Sequence, residues 1–155
     1  MPKFCLSFLL LVTLLCAPLV HQAQAQTDHL PPRVEAALTP LYSAASVSFV
    51  NPNTYFEWGF IYNTDGNPGS IETSHDNEMH ERVLVYSNTA GIVHTHPHRA
   101  DPRPSAADVN IAKSAHIPNW VLSESELWVA EPNGKVVKVA DVEWHDNKLI
   151  ITYRN

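Results

Sequence analysis

The sequence predicts a single α/β domain of the α+β type, with a mixed β-sheet and about two helices. Three observations lead there. Once an N-terminal leader is set aside, the remaining chain is long enough for one hydrophobic core. Two stretches carry apolar residues at helical spacing. A series of short runs rich in β-branched and aromatic residues is punctuated by Gly, Asn, Asp and Pro turn signals.

The leader occupies residues 1–25. Lys3 gives a minimal positive start, residues 4–15 are apolar apart from Ser7 and Thr13, and "AQA" at 23–25 supplies small residues for a peptidase. That is the pattern of a cleaved secretory signal, and its apolar core is too short to span a bilayer comfortably. The expected location is therefore periplasmic or secreted, with no stable membrane anchor. A lipoprotein at Cys16 fits less well, because the bulky Leu14 and Leu15 stand where small residues are expected.

Removing 25 of the 155 residues leaves 130. Both cysteines, Cys5 and Cys16, go with the leader, so the expected mature chain has neither a disulfide nor a thiol nucleophile. Without Lys3, nine basic residues face 16 acidic ones, a net charge of −7 with histidine neutral. Such a surface repels phosphate backbones, and no Lys/Arg cluster offsets it locally, which argues against nucleic acid as a partner.

Residues 26–46 are expected to form a short leader and a helix, and 47–155 the domain proper. "PPRVEAALTPLYSAA" places Val34, Ala37, Leu38, Leu41 and Tyr42 at helical spacing after prolines suited to a first turn. Pro40 inside the pattern predicts a break or kink. "ASVSFV" and "TYFEWGFIY" read as β-strands around the turn signal "NPN". "NTDGNPG" is a turn, "SIETS" a short returning strand and "SHDNEMHER" a polar loop. "VLVYSNTAGIVHTH" gives one or two strands, of which 90–95 reads as buried.

"PSAADVNIAKSAH" predicts a helix with Ser105 as N-cap and Asp108 three residues on, a capping box with a shortened acid. Its apolar stripe is Ala107, Ile111 and Ala115. The remainder, "WVLSES", "ELWVAEP", "VVKVADVEWH" and "LIITYR", reads as strands joined by turns at "NGK" and "DNK". Trp58, Trp120, Trp128 and Trp144 read as core and strand-face packing rather than a binding platform.

The chemistry is concentrated in "GIVHTHPHRADPRPSAADV", residues 91–109. Alternate side chains of a strand share a face, so His94 and His96 project together. Asp108, in the first turn of the next helix, can bring a carboxylate back toward the strand end. Two imidazoles, one carboxylate and an open position make a catalytic rather than a closed structural zinc site. Such a site needs a proton acceptor. Glu57 is the candidate, because an acid in the aromatic run "FEWGF" is costly to bury without a partner and its pKa would rise there. Glu72, Glu78 and Glu81 are the alternatives. Ser105 can cap the helix, or donate a hydrogen bond to an oxyanion, or both. His98 reads as a loop residue beside the site, and His75, His80, His116 and His145 have no partner spacing.

"HTHP" followed by "PSAAD" resembles the His-x-His-Pro … Ser-x-x-Asp signature of the JAB/MPN-type (JAMM) metallopeptidases, and "DPRPSAAD" is most similar to the RadC-type and secreted bacterial branch. The resemblance covers roughly residues 47–140. It implies a cytidine-deaminase-like JAB/MPN fold, a curved mixed sheet flanked by helices. It further implies Zn2+ held by His94, His96 and Asp108, water polarised by Glu57, an oxyanion assisted by Ser105, and hydrolysis of peptide or isopeptide amide bonds. For an exported chain the expected substrate is a peptide or a cell-wall amide. Two spacings depart from the pattern: residues 97–104 make the loop one residue longer than usual, and Glu57 precedes Gly59 by two positions rather than three. The rival expectation is a non-catalytic cell-envelope binding or immunity-type module on the same fold, with a protein partner.

Overall fold

The computed structural model describes residues 29–51, 53–73 and 84–154. The leader expected over 1–25 and the whole of the polar loop expected over 74–82 lie outside these described residues.

Helix α1 (Pro32–Val50) is a single 19-residue element. It begins where a proline is free to begin one, with Pro32 in the first turn and the amides of Val34 and Glu35 both bonded to the Pro31 carbonyl at 2.9 Å. Val34, Leu38, Leu41, Tyr42, Ala45 and Phe49 form its buried face. That stripe corrects two expectations. Pro40 does not break the helix, because it sits on the exposed side, where water can solvate the carbonyl it leaves unbonded. Residues 47–50, expected in a strand, continue the helix instead, because Phe49 falls four positions after Ala45 and completes the apolar face. Burying that one aromatic ring contributes about 1.5–3 kcal/mol, more than the small helical disadvantage of two valines.

Seven strands follow, β1 (Trp58–Asn63), β2 (Glu72–Thr73), β3 (Thr89–Thr95), β4 (Asn119–Leu122), β5 (Glu126–Ala130), β6 (Val136–His145) and β7 (Lys148–Tyr153), with α2 (Ala106–Ala115) between β3 and β4. They form one mixed sheet in the order β2-β1-β3-β4-β5-β6-β7. Every neighbouring pair is antiparallel except β3 and β4, which run parallel because α2 carries the chain back between them. The class is therefore mixed α and β, with two helices among the described residues.

Strand alternation gives the sheet two distinct faces. Val93 of β3 and its partner Trp120 of β4 belong to the core cluster built with α1. Ile92, His94 and Asn119 point the other way, into the cavity beside α2. α1 lies against β1, β3 and β7, and α2 against β4 and β5. Gly91 lets the ring of its β1 partner Tyr62 lie over β3: a Cβ there would come within 2.3 Å of that ring. That ring is held in place by Trp120, whose Nε1 donates to the Tyr62 hydroxyl at 3.2 Å. Burial raises the Tyr62 phenol to about 12.

The expected turns appear where the residues allow them. Asp146 and Asn147 take positive φ values of 49° and 60°, closing the β6–β7 hairpin in two residues, and Gly134 at 89° closes the β5–β6 turn. Leu84, Val85 and Tyr86, expected in a strand, are instead exposed and extend no ladder. The turn bond from the Thr89 amide to the Tyr86 carbonyl (3.0 Å) intervenes, and β3 starts only at Thr89, opposite the end of β1. No helix among the described residues is long and apolar enough to cross a membrane.

Candidate metal centre

His94, His96 and Asp108 are brought together by three different local devices. His94 is the last residue but one of β3, within its buried run. His96 lies one residue past the strand end, yet its amide bonds to the Leu122 carbonyl of β4 at 3.0 Å. The strand path is thereby extended, so both imidazoles stay on one face. Asp108 is placed by the capping box of α2: its amide donates to Ser105 Oγ (3.2 Å), and its Oδ2 accepts from Ser105 N and Oγ (both 2.6 Å). The same carboxylate therefore starts the helix and faces the histidines.

The three residues are buried, at 5%, 6% and 8% exposure. Their ligand atoms lie within 4.8 Å of one another, and they are the group with that geometry among the described residues. His94 Nε2 is 3.3 Å from His96 Nε2 and 3.3 Å from Asp108 Oδ1, and His96 Nε2 is 3.5 Å from Asp108 Oδ2.

Each ring is oriented from behind. His94 Nδ1 lies 3.1 Å from Asn119 Oδ1, and His96 Nδ1 lies 2.6 Å from the main-chain carbonyl of Asp101. Asn119 is itself fixed by bonds from its Nδ2 to the carbonyl and Oδ1 of Asp108, each 3.4 Å, which leaves its Oδ1 toward His94. Facing carbonyl oxygens, both Nδ1 atoms must donate, so each neutral ring turns the lone pair of Nε2 toward the other. Two such lone pairs in a buried space repel unless a cation lies between them. A proton serves, and so does a divalent metal ion, for which two nitrogens and a carboxylate oxygen are a fitting donor set.

The electrostatics agree. Burial opposes charge on His96, but hydrogen bonds with Asp108 and the Asp101 carbonyl, together with the charges of Asp108 and Glu57, hold its pKa above the ordinary value. Burial likewise works against the Asp108 carboxylate, and the bonds from His94, His96 and Ser105 outweigh it, keeping the group far below the usual carboxylate range. The signs set a pH test. A raised His96 contributes stability to the metal-free protein below the ordinary histidine value near 6.5, and loses it as pH rises through the raised value. A bound metal ion takes the place of that proton, so metal binding strengthens over the same interval. The melting temperature of the metal-free protein is expected to fall as pH rises above about 6.5. That of the metal-loaded protein should stay nearly level, because neither the metal-bound nor the unfolded histidine carries a proton there. Parallel melting curves across that range would count against the cluster as a metal site.

Glu57 is one residue short of the strand expected to hold it, lying just before β1. The Trp58 amide donates to Thr95 Oγ1 at 3.0 Å, tying the start of β1 to the end of β3. Continuing the β1–β3 register from the Gly59–His94 pair sets Glu57 beside His96. Glu57 is buried and lines the same cavity, of about 690 Å3, as the two histidines, Asp108 and Ser105.

The other candidates separate cleanly. Glu72 lies exposed on β2, away from the cavity, and Glu78, Glu81, His75 and His80 lie outside the described residues. His98 pairs with Glu124 at 3.0 Å, His116 ends α2 in a left-handed conformation, and His145 pairs with Asp146. Asn119 and Asp101 were not anticipated. An asparagine leading the apolar run "NWVL" was a signal for the first, whereas Asp101 acts through its main chain, which no side-chain pattern reports. The expected apolar stripe of α2 is also corrected. Asp108 and Ala112 are the buried residues of the helix, while Ala107 and Ile111 line the cavity.

Comparison of the chain with protein-family models, and with curated proteins, gives no match.

Proposed function

We propose that this protein is an exported zinc-dependent hydrolase of amide bonds, of the JAB/MPN (JAMM) type. The observation that carries the reading is the pair of back-oriented imidazoles whose Nε2 atoms meet 3.3 Å apart beside Asp108. Support for the fold assignment comes from the parallel β3–α2–β4 unit, which sets the histidines at a strand end and the carboxylate in the following helix turn. His94, His96 and Asp108 would hold the zinc ion. When bound, zinc supplies Lewis acidity, polarising a carbonyl and lowering the pKa of water from 15.7 to about 7.

The chain's own groups do the rest. Glu57, buried beside His96, accepts the proton that a water gives up as its oxygen adds to the substrate carbonyl. It then delivers that proton to the departing amine nitrogen as the C–N bond breaks. Ser105 Oγ, at the cavity edge, turns from Asp108 to donate to the carbonyl oxygen as negative charge builds there. The cavity is large enough for a peptide segment of a few residues. The leader pattern directs the substrate reading to peptides and peptidoglycan cross-links.

The test is turnover. Zinc-loaded protein, incubated with a mixture of short peptides and with peptidoglycan fragments, is expected to release new amine termini detectable by mass spectrometry. A chelator should stop their release and added zinc restore it. Full zinc occupancy with no cleavage in either pool would replace the hydrolase by a non-catalytic binding module.

A further inference from the structure

The cavity over the metal cluster has two chemically different walls, and neither is used by the proposed mechanism. One wall is apolar. Ala107 and Ile111 stand on α2 on either side of the Asp108 turn, and Val136 at the start of β6 adds to the same lining. Ile111 is 38% exposed although it belongs to an apolar stripe, so the core leaves a branched aliphatic side chain to the cavity. It lies three residues from Asp108, one helical turn or about 5 Å along the surface.

The other wall is cationic. Arg99 and Arg103 both line the cavity in a chain with a net charge of −6. Arg103 is committed: its guanidinium grips the Asp101 carboxylate through Nε and Nη2, with bonds of 2.9, 3.2 and 2.6 Å. The Arg103 backbone N–H also donates a hydrogen bond to Asp101 Oδ1 at 3.0 Å, so the work of the pair is to hold the loop whose Asp101 carbonyl orients His96. Arg99 makes no such bond among the described residues. Its Cα lies three residues after His96, hence within about 11 Å of it, well inside the reach of a guanidinium to a group one residue removed from the metal.

We infer that the ligand of this cavity is an acyl or peptidyl group carrying an aliphatic side chain next to the scissile carbonyl and a carboxylate beyond it, with Ile111 reading the first and Arg99 the second. The inference rests on the zinc-hydrolase reading and narrows its substrate class. An aliphatic side chain on Ala107, Ile111 and Val136 removes apolar surface on both sides from water. A carboxylate suits the planar guanidinium of Arg99. It also enters a cavity whose carboxylates, Glu57, Asp108 and the Arg103-bound Asp101, would repel it elsewhere.

Hydroxamates that differ in one feature at a time make the probes: acetohydroxamate, and the hydroxamates of acetyl-glycine, acetyl-leucine and succinyl-leucine, titrated calorimetrically into zinc-loaded and metal-stripped protein. Acetohydroxamate reports the metal alone, and it is expected to bind only the loaded form. Leucyl should exceed glycyl by about tenfold, and succinyl should exceed acetyl by about fivefold. Arg99→Gln is expected to bring the succinyl-to-acetyl ratio to about one while Arg99→Lys keeps part of it. Ile111→Ser should lower the leucyl-to-glycyl ratio by most of its value. If acetohydroxamate fails to bind the loaded form, the zinc reading falls and takes this inference with it. If acetohydroxamate binds but the wild-type ratios are near one, or survive their variants, the substrate class alone is overturned.

Discussion

Glu57→Gln is expected to retain the metal and lose hydrolysis by about 10²–10⁴-fold, the usual contribution of a positioned general base. Glutamine nearly matches glutamate in size and keeps an oxygen toward the cavity, so the tie between Trp58 and Thr95 and the path of β1 should survive. What disappears is a carboxylate able to take a proton. The same substitution removes one of the charges that hold His96 protonated, so the His96 pKa should fall as activity is lost. Proton resonances of the imidazole followed against pH in metal-free protein would register that shift, while peptide cleavage registers the catalytic loss. Undiminished turnover by the glutamine variant would remove Glu57 from the mechanism.

Asp108 is expected to show a different division, because one side chain has two tasks. As the partner of Ser105 it starts α2, and as the neighbour of both Nε2 atoms it completes the donor set. Asp108→Ala should weaken metal binding by at least about a hundredfold, since even the residues behind metal ligands are worth about 10–100-fold. It should also cost about 1 kcal/mol of stability through the lost cap. Asp108→Asn can still accept the Ser105 amide bond, so it should lose the metal while keeping most of the metal-free stability. Comparing melting temperatures and zinc affinities of the two variants separates the tasks. Zinc affinity unchanged in both would mean that the carboxylate is only a cap.

The parts of this molecule that could be read from the sequence were those set by neighbours in the chain. The capping box of α2 needs only Ser105 and Asp108 three residues apart, and it formed as expected. The two-residue turn at Asp146 and Asn147 is equally local. The pairing of His94 with His96 follows from alternation along a strand whose apolar run was plain. What was misread depends on partners distant in sequence. Residues 47–50 look like a strand until Phe49 is seen to pack with α1's other apolar residues on the sheet. Pro40 ends a helix only if the missing bond is buried, and here it faces water.

The apolar stripe of α2 shows the same limit at the site. The spacing of Ala107, Ile111 and Ala115 was legible, but the structure buries Ala112 and Asp108 and gives Ala107 and Ile111 to the cavity, while the carboxylate turns toward the strand end as expected. A helix beside a binding cleft has two faces that favour apolar residues, and periodicity alone does not say which one is the core. Glu57 was legible as an acid in an aromatic run, although it precedes the strand rather than lying in it. The carbonyls of Asn119 and Asp101 became visible only with the fold, since β4 must first lie parallel to β3 and the 97–104 loop must first curl back.

The central claim is that His94, His96 and Asp108 form a metal site, and elemental analysis tests it most directly. Purified protein is stripped with a chelator, supplied with zinc, dialysed and measured, with His96→Ala carried alongside. The account predicts about one zinc per chain in the wild type and a loss of most of it in the variant. A wild-type protein that holds no zinc, or a variant that holds as much as the wild type, would contradict it.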